Sequence, residues 1–215
     1  MAGIVVGHGL PGLMARTQAR VPNIHPVWVR VTHWLNALAV LVMCASGWRI
    51  YDASPIFKFI YFPNALTLGG WLGGALLWHF AAMWLLTANF LLYAWIGLAS
   101  GHFSSRMLPI SGRDLLRDAS AALRGALQHT DLRHYNALQK IAYLGAIAGT
   151  GLAILSGLAL WKPVQLLPLS GLMGGYEATR VVHFIAMASL TGFIAVHLTM
   201  TILVPRSFQA IVRGR

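Results

Sequence analysis

The sequence predicts an all-α membrane protein: a bundle of four transmembrane helices, with an interfacial helix in the loop between the second and third spans. Three observations predict it. Of 215 residues, 57% are hydrophobic and only 10% charged, and the mean hydropathy is +0.65, whereas a soluble domain carries roughly 25% charged residues. Four runs lack any Asp or Glu and are long enough to cross a bilayer, where hydrocarbon offers unpaired backbone groups no water partner. The basic residues, finally, are segregated into alternate connections.

The spans are taken in order. The first covers 28–50, the second 68–98, the third 137–161 and the fourth 179–204, where Pro205 stops it. Residues 1–24 read as an N-terminal cytoplasmic tail. Their apolar run is short, broken by Gly, His and Pro, and has no basic residue ahead of it, so it lacks the pattern of a signal peptide. Residues 25–213 then form one transmembrane domain. In the long 99–140 loop, SGRDLLRDASAALRGALQ starts with Ser111 as a helix cap. Leu115, Leu116, Ala119, Leu123 and Leu127 lie toward one side, with Arg113, Arg117 and Arg124 toward lipid head groups, the pattern of an interfacial helix.

Segments 1–32, 99–140 and 205–215 hold twelve Lys and Arg, and the other two connections hold four: Arg49, Lys58, Lys162 and Arg180. The positive-inside rule puts both termini and the middle loop in the cytoplasm, making this a multi-pass membrane protein. The net charge of +11 is therefore a topology signal. Its partners are membrane lipid, and nucleic acid is excluded. The single cysteine, Cys44, rules out an intrachain disulfide, a four-Cys iron–sulfur cluster and a CxxCH haem attachment; it reads as a small buried filler.

Two further patterns concern the second and fourth spans. HFAAMWLLTANFLLY from His79 and HFIAMASLTGFIAVH from His183 match at six of fifteen positions. Spans one and three echo each other through CASGW and ILSGL near their outer ends. An internal duplication and chance matching between apolar helices both explain these signs, and in either case the register places His79 and His183 at similar depth, nearer the outer face. Of nine histidines, only His33, His79, His183 and His197 fall inside spans. Polar groups in lipid are costly and tend to face a bundle interior or a functional site. Four imidazoles without any acid in the same spans call for a shared partner.

His183 and His197 are fourteen residues apart, which is about 21 Å along a helix and about 40° short of the same azimuth. Slight underwinding closes that angle. Both rings thus project inward at two depths, too far apart for one metal ion, and suit two planar cofactors stacked along the membrane normal. Haem iron with two axial histidines is such a centre. Depth sets the pairs: His79 with His183 at the outer level, His33 with His197 at the inner. Span three, which has no histidine, is expected to pack through Gly145 and Gly149 in GxxxG spacing. Gly47 faces the outer level and is a candidate to admit a porphyrin edge or a close helix contact.

The stretch HPVWVRVTHWLNALAV, the WHF around His79, the RHYNALQKIAYLG segment and the paired histidines of span four resemble the bacterial cytochrome b561 family. More narrowly, they resemble the b-type cytochrome subunits of nickel–iron hydrogenases, formate dehydrogenases and thiosulfate reductases. The resemblance covers residues 24–213. It implies two haems b, each held by two histidines, with His33, His79, His183 and His197 as the metal ligands. It also implies a quinone site beside the inner haem, where YNxxQK matches Tyr135, Asn136, Gln139 and Lys140; Leu138 stands where some relatives have Gly. Asn136, Gln139 and Lys140 are candidates to bond a quinone oxygen, and equally to cap and anchor the span. Arg30 and Arg180 are the leading candidates for haem propionates. Trp28, Trp34, Trp48, Trp161 and Tyr51 read as an interfacial aromatic belt.

The expected function is electron transfer, as the membrane subunit of a quinone-linked oxidoreductase, between the quinone pool and a periplasmic partner. That partner is a molybdopterin- or nickel–iron-type oxidoreductase subunit or a periplasmic electron carrier. A stand-alone superoxide- or small-reductant-driven quinone reductase is the alternative in the same class. A His-lined metal or proton transporter is a different class, disfavoured because the spans hold no acid.

Overall fold

The computed structural model describes residues 25–124 and 135–214, and the fold is entirely helical across them. The predicted tail at 1–24, Leu127, His129 and His134 lie outside the described residues. Four long helices carry the architecture: α1 (Val27–Ala53), α2 (Leu72–Ala99), α5 (Ala137–Trp161) and α7 (Tyr176–Leu203). At 25 to 28 residues each, they are about 38–42 Å long, enough to cross the hydrocarbon and reach the head groups. Shorter helices join them: α3 (His102–Arg106), α4 (Gly112–Leu123), α6 (Leu167–Leu172) and a terminal α8 (Pro205–Arg213).

The burial pattern is that of a protein whose solvent is lipid. The fully enclosed side chains are small: Ala39, Ser46, Ala75, Ser156, Ala159 and Thr179. Leu77, Trp84, Leu91, Ile185 and Val196 stand on the outside. Leu gains nothing by leaving acyl chains, so small residues that let backbones approach form the interior.

The long helices associate as two pairs, α1 along α2 and α5 along α7, while the pairs approach each other only sparsely. Within the first pair, buried Asn89 donates to the Thr32 carbonyl at 2.8 Å and to Asn36 Oδ1 at 2.7 Å. This is the interhelical polar bond that an apolar medium favours. We call the end where α1 begins inner; Arg30, Arg106 and Lys140 gather there. At the outer end the 54–71 connection folds back over the bundle. Tyr51 Oη donates to the Phe57 carbonyl and accepts from its amide, at 3.0 Å each, and Trp48 stacks on Phe62 with centroids 5.0 Å apart. Tyr51 is buried. These two aromatics thus hold a loop rather than stand in an interfacial belt.

Three local features are worth setting against expectation. The second span starts at Leu72 rather than 68, because Gly69 and Gly70 take positive φ of 105° and 70° to turn the chain into α2. A side chain on Gly69 would collide with the Ala75 backbone. The helix in the middle loop forms, but Ser111 at its N-cap makes no side-chain cap bond. Pro205 ends α7 and also opens α8, since proline fits the first turn of a helix. The Arg30 guanidinium bonds the carbonyls of Ile211 and Val212, and the Trp34 ring meets Phe208 edge-on. Together these contacts dock α8 across the inner end of α1.

Candidate functional site

Two pairs of imidazoles face each other across the gap between the helix pairs. His79 on α2 and His183 on α7 have ring centroids 6.5 Å apart, with planes at 74°. His33 on α1 and His197 on α7 are 6.1 Å apart, at 59°. Each pair takes one ring from each half of the bundle. A direct hydrogen bond between ring nitrogens would bring centroids to roughly 5.2 Å. Two nitrogens bonded at about 2 Å to one central iron would set them roughly 6.3 Å apart. The observed separations bracket the second figure, so both pairs fit bis-imidazole haem. No group of three or more His, Cys, Asp or Glu suited to a metal ion occurs among the described residues.

The outer rings are braced from behind. Ser46 Oγ on α1 lies 3.0 Å from His79 Nδ1, and Ser156 Oγ on α5 lies 2.9 Å from His183 Nδ1. Each serine is fully buried and followed by a glycine that presses on the same ring. A Cβ on Gly47 would sit 3.3 Å from His79 Cε1, and one on Gly157 would sit 3.1 Å from His183 Cε1. Gly47 thus lies against the His79 ring, at the outer level where it was expected. The echo of CASGW in ILSGL is thus one device built twice. Sequence reading saw the echo but assigned the serines no role, and it treated span three as packing alone. Asn89 was also passed over; an isolated amide in an apolar span was its only signal.

Among the described residues, no serine braces the inner rings in this way. His33 meets Trp34 edge-on at 5.4 Å, and His197 stacks on Phe193 at 5.7 Å and 15°. Phe193 also borders a cavity of about 240 Å³ between α5 and α7. Gly145 lines this cavity with nothing within 4 Å of an added Cβ, while Gly149 touches Leu190. The GxxxG pair therefore makes one close contact and one opening. Outside the spans, His25 and His102 cluster with Arg106 at this end. Burial first, then Arg106, pushes His25 down to about 4 and holds His102 below its ordinary value. Burial raises the Tyr135 phenol, with Arg106 opposing.

The remaining predicted residues are engaged elsewhere. Arg30 caps α8. Arg180 bonds Glu177 Oε2 at 2.9 Å and Ser54 at its carbonyl (2.6 Å) and hydroxyl (3.1 Å), tying α7 to the outer end of α1. Asn136 Oδ1 accepts from the Gln139 amide at 2.7 Å, and Gln139 Oε1 accepts from the Asn136 amide at 3.1 Å, a capping box opening α5. Lys140 Nζ donates to the Pro109 carbonyl at 3.1 Å.

Residues 24–214 match the family described as prokaryotic cytochrome b561. The chain belongs to that family. It is also 56% identical, over 191 residues, to the putative protein-methionine-sulfoxide reductase subunit YedZ1 of Azospira oryzae, across 89% of this chain and 96% of the relative. As a cytochrome b561, the protein is an integral membrane haem protein of electron transfer.

Proposed function

We propose that the protein is a dihaem b-type cytochrome carrying electrons across the inner membrane between the quinone pool and a periplasmic oxidoreductase. The observation that supports this is the presence of two facing imidazole pairs, one at each end of α7, each spanning both halves of the bundle. His79 and His183 would hold the outer haem, and His33 and His197 the inner. The four histidines would hold the haems, which would supply reversible one-electron exchange at iron. The protein's own contribution is to fix the rings, keep the two levels about 21 Å apart and exclude water with the aromatic outer connection.

The partner is proposed from the relative's name: a subunit that reduces methionine sulfoxide in proteins. Such a reaction consumes two electrons and two protons per sulfoxide and yields methionine and water, so electrons would flow from quinol outward. A molybdopterin centre in that partner follows from the family resemblance. Quinol exchange belongs at the inner end, beside Asn136, Gln139 and Lys140. Both termini lie in the cytoplasm on this reading, since the basic end is the inner one.

Haem extraction and redox titration of the purified protein test the proposal. Two haems b per chain, reduced in two one-electron steps and reducible by a quinol analogue, are expected. A single haem per chain would remove the two-level reading.

A further inference from the structure

We infer that Ser46 and Ser156 are positioning residues that fix the tautomer of both outer histidines and hold the outer haem at a lower potential than unbraced ligands would. The inference rests on the dihaem reading above. It starts from where the serine protons go. Ser46 Oγ lies 2.6 Å from the Val42 carbonyl, and Ser156 Oγ lies 2.6 Å from the Leu152 carbonyl, one turn back in each helix. A carbonyl can only accept, so each hydroxyl donates its one proton there. The hydroxyl oxygen then meets His79 Nδ1 at 3.0 Å and His183 Nδ1 at 2.9 Å with lone pairs alone. Nδ1 must therefore carry the ring proton and donate. That leaves Nε2 unprotonated, the state an axial ligand requires.

The brace also acts on the iron. A ring whose Nδ1–H is held by an acceptor is a more basic ligand, and it favours the ferric over the ferrous state. Alanine at either serine removes the side-chain acceptor of that ring. Gly47 and Gly157 hold each ring against its serine from the next position. The same arrangement recurs in both helix pairs, on the α1–α2 face and on the α5–α7 face. Among the described residues, no side chain makes a hydrogen bond to the rings of His33 or His197, so the inner level is a built-in control.

The test is a spectroelectrochemical titration of the wild-type protein, Ser46→Ala, Ser156→Ala and the double variant. Outer-ligand support changes metal binding by about 10- to 100-fold, and a loss of about tenfold falling on the ferric state alone is the expectation here. At 59 mV per decade for one electron, the outer potential should then rise by about 59 mV in either single variant and further in the double. The inner potential should stay where it is. Ser46→Thr and Ser156→Thr keep a hydroxyl that makes the same backbone bond, so they should retain the wild-type value. Alanine variants that keep both haems with unmoved potentials overturn the inference and leave the dihaem reading intact. A wild-type protein without two bis-histidine haems overturns that reading instead. Should an alanine variant fail to retain haem, the threonine variants decide: an outer potential that rises with the hydroxyl kept overturns the role.

Discussion

At the outer level each imidazole rests on a serine of the neighbouring helix, whereas at the inner level His33 and His197 rest on Trp34 and Phe193. The two levels also differ in symmetry. The repeat register maps His79 onto His183 and Ser46 onto Ser156, offsets of 104 and 110 residues, so the outer level takes equivalent positions from both halves. The same offsets map Tyr93 onto His197, and His33 onto Tyr143. At the inner level, then, only one of each equivalent pair is a histidine. The repeat register is thus symmetric at the outer level and asymmetric at the inner one. That is the division of labour expected if the outer level only passes electrons while the inner level exchanges them with a substrate.

Four experiments break or sharpen this comparison, the largest effect first. His79→Ala or His183→Ala should remove one haem of two and spare the inner, and His33→Ala or His197→Ala should do the reverse. Haem-to-protein ratios that fall to zero in all four would show the levels to be interdependent. Next in size, Gly157→Val and Gly47→Val should push the outer rings off their serines and lower outer occupancy. The effect should be greater at Gly157, where the contact is 3.1 Å rather than 3.3 Å. Equal loss at both levels would point to general misfolding instead.

Arg180→Ala should cost about 1 kcal/mol, since it frees Ser54 but its side chain is partly solvated, and it should leave both potentials in place. A lost haem would instead give Arg180 the propionate role that its spacing suggests. The smallest effect is protonic. Burial and the neighbouring Arg106 push His25 down to about 4 in the folded state, against about 6.5 in an unfolded chain. Between those values only the unfolded chain binds the proton. Stability is thus fully present above about pH 6.5 and drains as pH falls toward 4. The melting temperature should drop across that window, and His25→Gln should flatten part of the slope.

The four spans were legible because length and hydropathy alone determine which helices can exist in lipid. Their pairing into two halves was half legible, through the His79–His183 repeat. The short helices α3, α6 and α8 were not. Five to nine residues give too little periodicity, and α8 is held by Arg30 and Trp34, residues of α1 at the opposite end of the sequence. The histidines announced themselves by being polar in an apolar run. Ser46 and Ser156 did not, since serine in a span is common and bonds its own helix. Their role exists only once the facing helix is known. Asn136 and Gln139 carried a cap signal and a quinone signal in the same letters, and the cap is visible in the geometry.

Neither helix hairpin contains a complete pair of facing rings, since His33 and His79 belong to the first and His183 and His197 to the second. On the proposed reading, therefore, neither haem site would be complete until the last span had entered the bilayer, and each haem would bridge the two halves of the bundle.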